Sequence, residues 1–91
     1  MSPVRPKWFY TYVLMGQKDK KFYTGVTNYL QRRVEQHNTG LVLSTKQRVP
    51  LKLIYFEACL DKYDAYRREK YLKTGMGKRF LRNRLRGGLT G

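Results

Sequence analysis

Apolar and polar positions along the chain alternate between strand-like and helix-like runs. Trp8–Met15 (WFYTYVLM) is dense in aromatic and β-branched residues, which predicts a strand. Gly16 to Lys21 is polar and opens on glycine, as a hairpin loop does, and Phe22–Val26 reads as the returning strand. From Tyr29 to Asn38 the period changes: Leu30 and Val34, four apart, mark the apolar stripe of a helix. Asn28 is placed to cap that helix, with Gln31 three residues on completing a capping box, and Gly40 supplies the C-terminal stop. Residues 41–50 read as an exposed basic loop. Leu51–Cys59 (LKLIYFEAC), bounded by Pro50, predicts a third strand.

A second helix is expected over about Lys62–Lys73, with Asp61 as its cap and Thr74-Gly75 as its end. Gly75 and Gly77 then separate it from a short third helix, about Lys78–Leu85, in which Leu81 and Leu85 form an i,i+4 apolar pair. The resulting order, ββαβαα, is that of a small α+β unit, a three-stranded antiparallel sheet flanked by helices. A single domain over residues 8–86 is expected, with 1–7 a flexible lead and 87–91 a frayed end. Tyr12 and Tyr23 fall on neighbouring strands, roughly equidistant from the hairpin loop. If they share a face of the sheet they stand close together.

Composition narrows the class of partner. The 91 residues suffice for one domain with a modest core, and 41% apolar with 14% aromatic content argues for a folded chain over a disordered basic tail. A net charge of +14 favours polyanions, and makes any nucleic-acid affinity strongly salt-dependent. No basic amphipathic helix with a bulky apolar face is visible and no apolar run approaches a membrane span, so a membrane partner is not expected. The N-terminus lacks a signal-peptide core, and the single Cys59 has no internal disulfide partner; both fit a cytoplasmic protein.

Several residues could carry chemistry. Arg33 and His37, four apart on the first helix, share one face beside its apolar stripe, and Gly25 on the preceding strand permits a close approach. With Tyr23 they make a plausible phosphate site, although each has a plain structural reading as well. Glu69 lies on the face of the second helix that Ala65 and Leu72 turn inward, where a carboxylate needs a partner or a metal ion; a surface pair with Lys73 is the other reading. Between Arg67 and Arg86 nine basic residues surround that one acid, which suggests a surface that follows a phosphate backbone. The backbone-gripping set would be Lys46 and Arg48 of the loop, with Arg67, Arg68, Lys70, Lys73, Lys78, Arg79 and Arg82. No zinc spacing, Walker loop or nucleophile elbow is present.

Taken together, these points resemble the GIY-YIG endonuclease domain in its small stand-alone form. The first signature tyrosine is Tyr12, in Thr11-Tyr12-Val13, and the second is Tyr23, in Tyr23-Thr24-Gly25. Arg33 and His37 follow at the family's helical spacing, and Glu69 falls in a helix like the one that brings the family's metal-binding glutamate. Asn38-Thr39-Gly40, Ser44-Thr45-Lys46 and Leu53-Ile54-Tyr55 are also similar, so the likeness runs from about Trp8 to Lys73. Both signature triplets depart from the family's letters while keeping the tyrosine, and the second keeps its glycine. Many members place an asparagine after the glutamate helix; Asn83 falls near there.

The resemblance implies metal-assisted hydrolysis of phosphodiester bonds in DNA, with RNA a second candidate substrate. Tyr12, Tyr23, Arg33, His37 and Glu69 would be the catalytic set, with Gly25 the structural turn. Glu69 would hold one Mg²⁺ or Mn²⁺, Arg33 the scissile phosphate, and one tyrosine the attacking water. His37 would assist proton transfer or grip a phosphate. Without an appended specificity domain, weakly sequence-specific or structure-selective cutting of the repair and recombination type is expected. A non-catalytic basic binder with the same fold, or a nuclease subunit needing a protein partner, are the other readings.

Overall fold

The strand Phe9–Gly16 (β1) is apolar on both sides because it lies in the middle of the sheet. In this computed structural model, which describes residues 7–89, β1 is flanked by Phe22–Thr27 (β2) and Leu51–Cys59 (β3), in the order β2-β1-β3. Both pairings are antiparallel. Successive residues of β1 point to opposite faces. Tyr12 and Leu14 therefore go to one face and pack with Leu51, Tyr23, Leu30, Val34 and Val49. Thr11 and Val13 go to the other, where Val13 meets Leu72 and Leu81. The sheet is thus a middle layer with a small core on each side.

The helix Leu30–Asn38 (α1) covers the Tyr12 face. Lys62–Leu72 (α2) and Gly75–Arg84 (α3) cover the Val13 face, where Thr11 Oγ1 donates a hydrogen bond to the carbonyl of Ala65 (2.9 Å). The expected α+β architecture is the one observed. No helix among the described residues is long and apolar enough to cross a membrane.

Four local expectations are corrected. Asn28 does not cap α1: the N-cap is Tyr29, with no side-chain cap bond, and its amide is taken by the Thr27 hydroxyl (3.1 Å). The chain leaves β2 one residue later than Val26, which carries Asn28 past the capping position. The glycine pair does not separate two helices but lies in the first turn of α3, capped by the Thr74 hydroxyl. The supposedly frayed end carries a further helical turn, Arg86–Leu89 (α4). The loop 41–50 is not wholly exposed, since Val42 and Thr45 are buried. Residues 1–6 of the expected lead, and 90–91, lie outside the described residues. Asp61, by contrast, caps α2 as expected, accepting from the amides of Tyr63 and Asp64.

Gly77 marks the closest approach of α2 and α3. A Cβ there would lie 2.1 Å from the carbonyl oxygen of Tyr71 and 2.5 Å from Cα of Leu72, both backbone atoms that cannot swing aside. Gly77→Ala is therefore expected to destabilise the protein by about 1–3 kcal/mol through forced separation of the helices. This should hold although alanine is the better helix former. Urea unfolding measures it, and an unchanged midpoint would refute the close-packed contact.

Candidate active site

The site is built on the Tyr12 face of the sheet. The β1–β2 register sets Tyr12 opposite Gly25 and Leu14 opposite Tyr23, so the two tyrosines share that face as diagonal neighbours. Gly25 is what lets Tyr12 lie across β2: a Cβ there would stand 2.5 Å from the Tyr12 hydroxyl and 2.7 Å from its ring. His37, on the last turn of α1, is fully buried and meets both rings edge-on, at centroid distances of 5.8 Å from Tyr12 and 5.0 Å from Tyr23.

Both nitrogens of that imidazole are used. Nε2 is 2.9 Å from the Tyr12 hydroxyl, and Nδ1 is 2.7 Å from the hydroxyl of Thr45. Thr45, itself fully buried, comes from the middle of the loop that follows α1. Its role escaped the sequence reading because a threonine between Ser44 and Lys46 carries no local sign that it turns inward. That loop is tied down twice more. Asn38 exchanges a pair of hydrogen bonds with the backbone of Leu51 (2.8 and 2.9 Å). Gly40, at φ +80°, ends α1 with amide bonds from Gly40 to the carbonyl of His37 and from Leu41 to that of Gln36, a Schellman stop.

Burial, and then the nearby Arg33 guanidinium, depress the His37 pKa from 6.5 to about 4. His37 is thus neutral near pH 7, with a clear consequence for stability. Its folded pKa lies below the unfolded one, so between the two values only the unfolded chain binds a proton. Stability from this group is complete above about pH 6.5 and declines as pH falls toward 4, by about 3 kcal/mol in all. Urea midpoints across that range should show the slope in the native protein and lack it in His37→Asn.

Burial likewise raises the Tyr12 phenol above its ordinary value. Arg33 opposes that rise, while Tyr23 and Glu69 add to it. Of the four other residues named from the sequence, three thus bear electrostatically on the Tyr12 phenol, and the fourth, His37, is bonded to it. Arg33 is half-buried, with its guanidinium bonded to Oε1 of Gln36 (3.1 Å). The Glu69 carboxylate is 23% exposed and lies 3.5 Å from Nζ of Lys73, so it is at once partly inward and paired with lysine. No group of three or more metal-binding side chains occurs among the described residues. A lone, half-buried carboxylate suits an ion that keeps its waters and takes further ligands from a phosphate, as Mg²⁺ does. The residues present fit such an ion.

Beside Arg33 a cleft of about 360 Å³ opens between the start of α1 and α2, lined by Phe9, Asn28, Tyr29, Arg32, Gln36 and Tyr66 among others. The basic residues divide into two kinds. Arg48 is tied to Asp19 (3.0 Å) and to the carbonyl of Lys21 (2.9 Å), bracing the loop against the hairpin. Arg68 binds Glu57 (2.6 Å) and lies over the rings of Tyr71 and Phe80; Arg67 pairs with Asp64 and Lys73 with Glu69. Lys46, Lys70, Lys78 and Arg79 are exposed, with no ion pair among the described residues. Lys78 and Arg82 join Lys20 and Lys21 around a second hollow at the hairpin end of the sheet. Asn83 is exposed on α3.

The family model of the GIY-YIG catalytic domain matches residues 8–83. Among curated proteins the chain is 45% identical over 65 residues to a UPF0213 protein of Clostridium perfringens, covering 70% of this chain and 69% of that one. It is 41% identical over 68 residues to a UPF0213 protein of Lacticaseibacillus paracasei, covering 74% and 75%. Among solved structures it is similar to the solution NMR structure of a UPF0213 protein from Bacillus halodurans. The TM-score is 0.53 and the identity 33%, over 89% of this chain and 87% of that one. The matched span includes Tyr12, Tyr23, Arg33, His37 and Glu69. The chain belongs to the GIY-YIG family, whose catalytic domain is of the nuclease type.

Proposed function

We propose that the protein is a divalent-metal-dependent endonuclease that hydrolyses phosphodiester bonds in DNA, with little sequence specificity. The observation that carries this is the meeting of Tyr12 and Tyr23 at the buried imidazole of His37, which is bonded to the Tyr12 hydroxyl, with Arg33 on the same helix face as His37. Arg33 holds the scissile phosphate, its guanidinium matched to two phosphate oxygens and to the extra charge of the transition state. Glu69 holds Mg²⁺ or Mn²⁺, which when bound neutralises charge on the phosphate and the leaving oxygen.

Burial divides the labour of the tyrosines. Tyr12 is sealed from solvent, raised in pKa and bonded to a neutral imidazole, so it is a poor base and a good anchor. Tyr23 is only half-buried, so a water molecule can reach it; it orients the attacking water and, as the phenolate, takes that water's proton to become the phenol. His37, sealed and uncharged near neutral pH, does not grip phosphate; it holds Tyr12 in place, with Thr45 holding His37. The exposed Lys46, Lys70, Lys78 and Arg79 contact backbone phosphates, which fixes position without reading sequence. The small domain and its shallow surface suit branched, flapped or single-stranded DNA of the kind that arises in repair.

Nicking of supercoiled plasmid, and cutting of labelled single-stranded and flap DNA, with Mg²⁺, Mn²⁺ or EDTA, tests the reading. Metal-dependent cuts are expected, and Tyr23→Phe should slow them more than Tyr12→Phe. Folded protein that binds DNA yet cuts nothing in any metal would instead favour a non-catalytic binder or a nuclease lacking its partner.

A further inference from the structure

Two exposed tyrosines flank the cleft beside Arg33. Tyr29, the N-cap of α1, is 62% exposed, and Tyr66, on α2, is 46% exposed. Neither ring meets another aromatic ring or a cation among the described residues, and neither hydroxyl is hydrogen-bonded there. Other exposed tyrosines of α2 are occupied: Tyr63 lies under Lys62, and Tyr71 under Arg68. Aromatic faces left open beside a cleft are available to stack against a planar partner.

The rest of the lining narrows what that is. Asn28 and Gln36 offer amide donors and acceptors, Arg32 and Arg33 bring positive charge, and no carboxylate lines the cleft. At about 360 Å³ it stands at the small end of ligand-sized cavities and has room for one nucleoside, not for a duplex. Aromatic faces, amide edges and a guanidinium in one place are the chemistry that recognises an unpaired nucleobase still attached to its phosphate.

We propose that this cleft is a base-stacking subsite, in which Tyr29 and Tyr66 receive one unpaired base next to the phosphate held by Arg33. The proposal rests on the nuclease reading for the role of Arg33, and it narrows the substrate class to strands with at least one unstacked nucleotide at the cut. Every nucleobase has a face to stack, so the subsite selects structure and tolerates sequence.

Fluorescence anisotropy in EDTA tests it without cleavage. The probes are a labelled single strand of thymidines, a duplex of equal length, a strand of uridines, and a single strand of equal charge made of abasic units. Tyr29→Ala and Tyr66→Ala should each weaken binding of the thymidine strand by about tenfold. They should leave duplex and abasic binding unchanged, and Tyr29→Phe and Tyr66→Phe should bind as the native protein does. Uridines should behave as thymidines if the base is what is held.

Equal losses on all probes, or none, would overturn the subsite. Cleavage by a protein whose binding ignores both tyrosines would leave the nuclease standing and remove the subsite. Tyrosine-dependent binding of bases by a protein that cuts nothing in any metal would do the reverse.

Discussion

Glu69→Gln should lose metal-stimulated strand cleavage by on the order of a thousandfold, while stability and metal-free DNA binding stay close to native. A bound divalent ion supplies several kcal/mol of charge stabilisation to a transferring phosphate, and each 1.36 kcal/mol is a factor of about ten in rate. Glutamine keeps the shape of the side chain and removes the charge that holds the ion. The substitution is also clean structurally. Among the described residues the only ion pair of Glu69 is an i,i+4 contact with Lys73 at 3.5 Å, in which the lysine is 56% exposed, and such pairs contribute at most about 1 kcal/mol. Cleavage rates with varied Mg²⁺ and Mn²⁺, beside urea unfolding, separate the two effects. Retained cutting would remove Glu69 as the metal residue, and matching losses of cutting and stability would make it structural.

Arg33→Ala is expected to lower kcat by about 10²–10³, the scale of deleting one well-placed donor to a transition-state oxygen. Arg33→Lys should recover only part of this, because an ammonium cannot offer two parallel hydrogen bonds to one phosphate. The same change removes the cation that lowers the pKa of Tyr12 and adds to the depression of His37. Arg33→Ala should therefore raise the His37 pKa toward 6.5, visible by NMR titration of the single histidine even where no cleavage is measured. A normal kcat with a raised KM would assign Arg33 to ground-state binding alone.

The strands and the two main helices were legible in the chain because their signals are local and strong. Leu51–Cys59 follows Pro50 and is rich in β-branched and aromatic residues, and Asp61 opens α2 as its position suggests. The five candidate site residues stood out through their spacing and the family resemblance it carries. What escaped depends on contacts distant in sequence. Nothing near Thr45 announces a bond to His37, and nothing near Arg48 announces Asp19, so a buried hydroxyl and a bracing guanidinium both read as parts of a basic loop. Asn28 has the side chain of a cap, but where β2 ends is decided by pairing with β1, and that moves the helix start past it. Tyr29 and Tyr66 were silent because exposed tyrosines on helices are common. Only their meeting at one cleft makes them informative.

On the proposed nuclease reading, the central position of β1 bears on when the protein could act on DNA. Tyr12, Tyr23, Arg33 and His37 all lie within a contiguous ββα segment in the first half of the chain, while Glu69 arrives on α2, after β3. β3 pairs with β1 across the whole intervening loop and α2 packs on the face opposite α1, and such long-range pairing is the slow part of folding a small domain. Synthesis runs in the same order, so the half that carries Tyr12, Tyr23, Arg33 and His37 leaves the ribosome well before Glu69 does. On the nuclease reading, a nascent or truncated chain without α2 would carry positive charge that attracts nucleic acid, yet would lack the carboxylate needed to cut. On that reading cutting requires the complete fold, and cleavage would itself report that folding has finished.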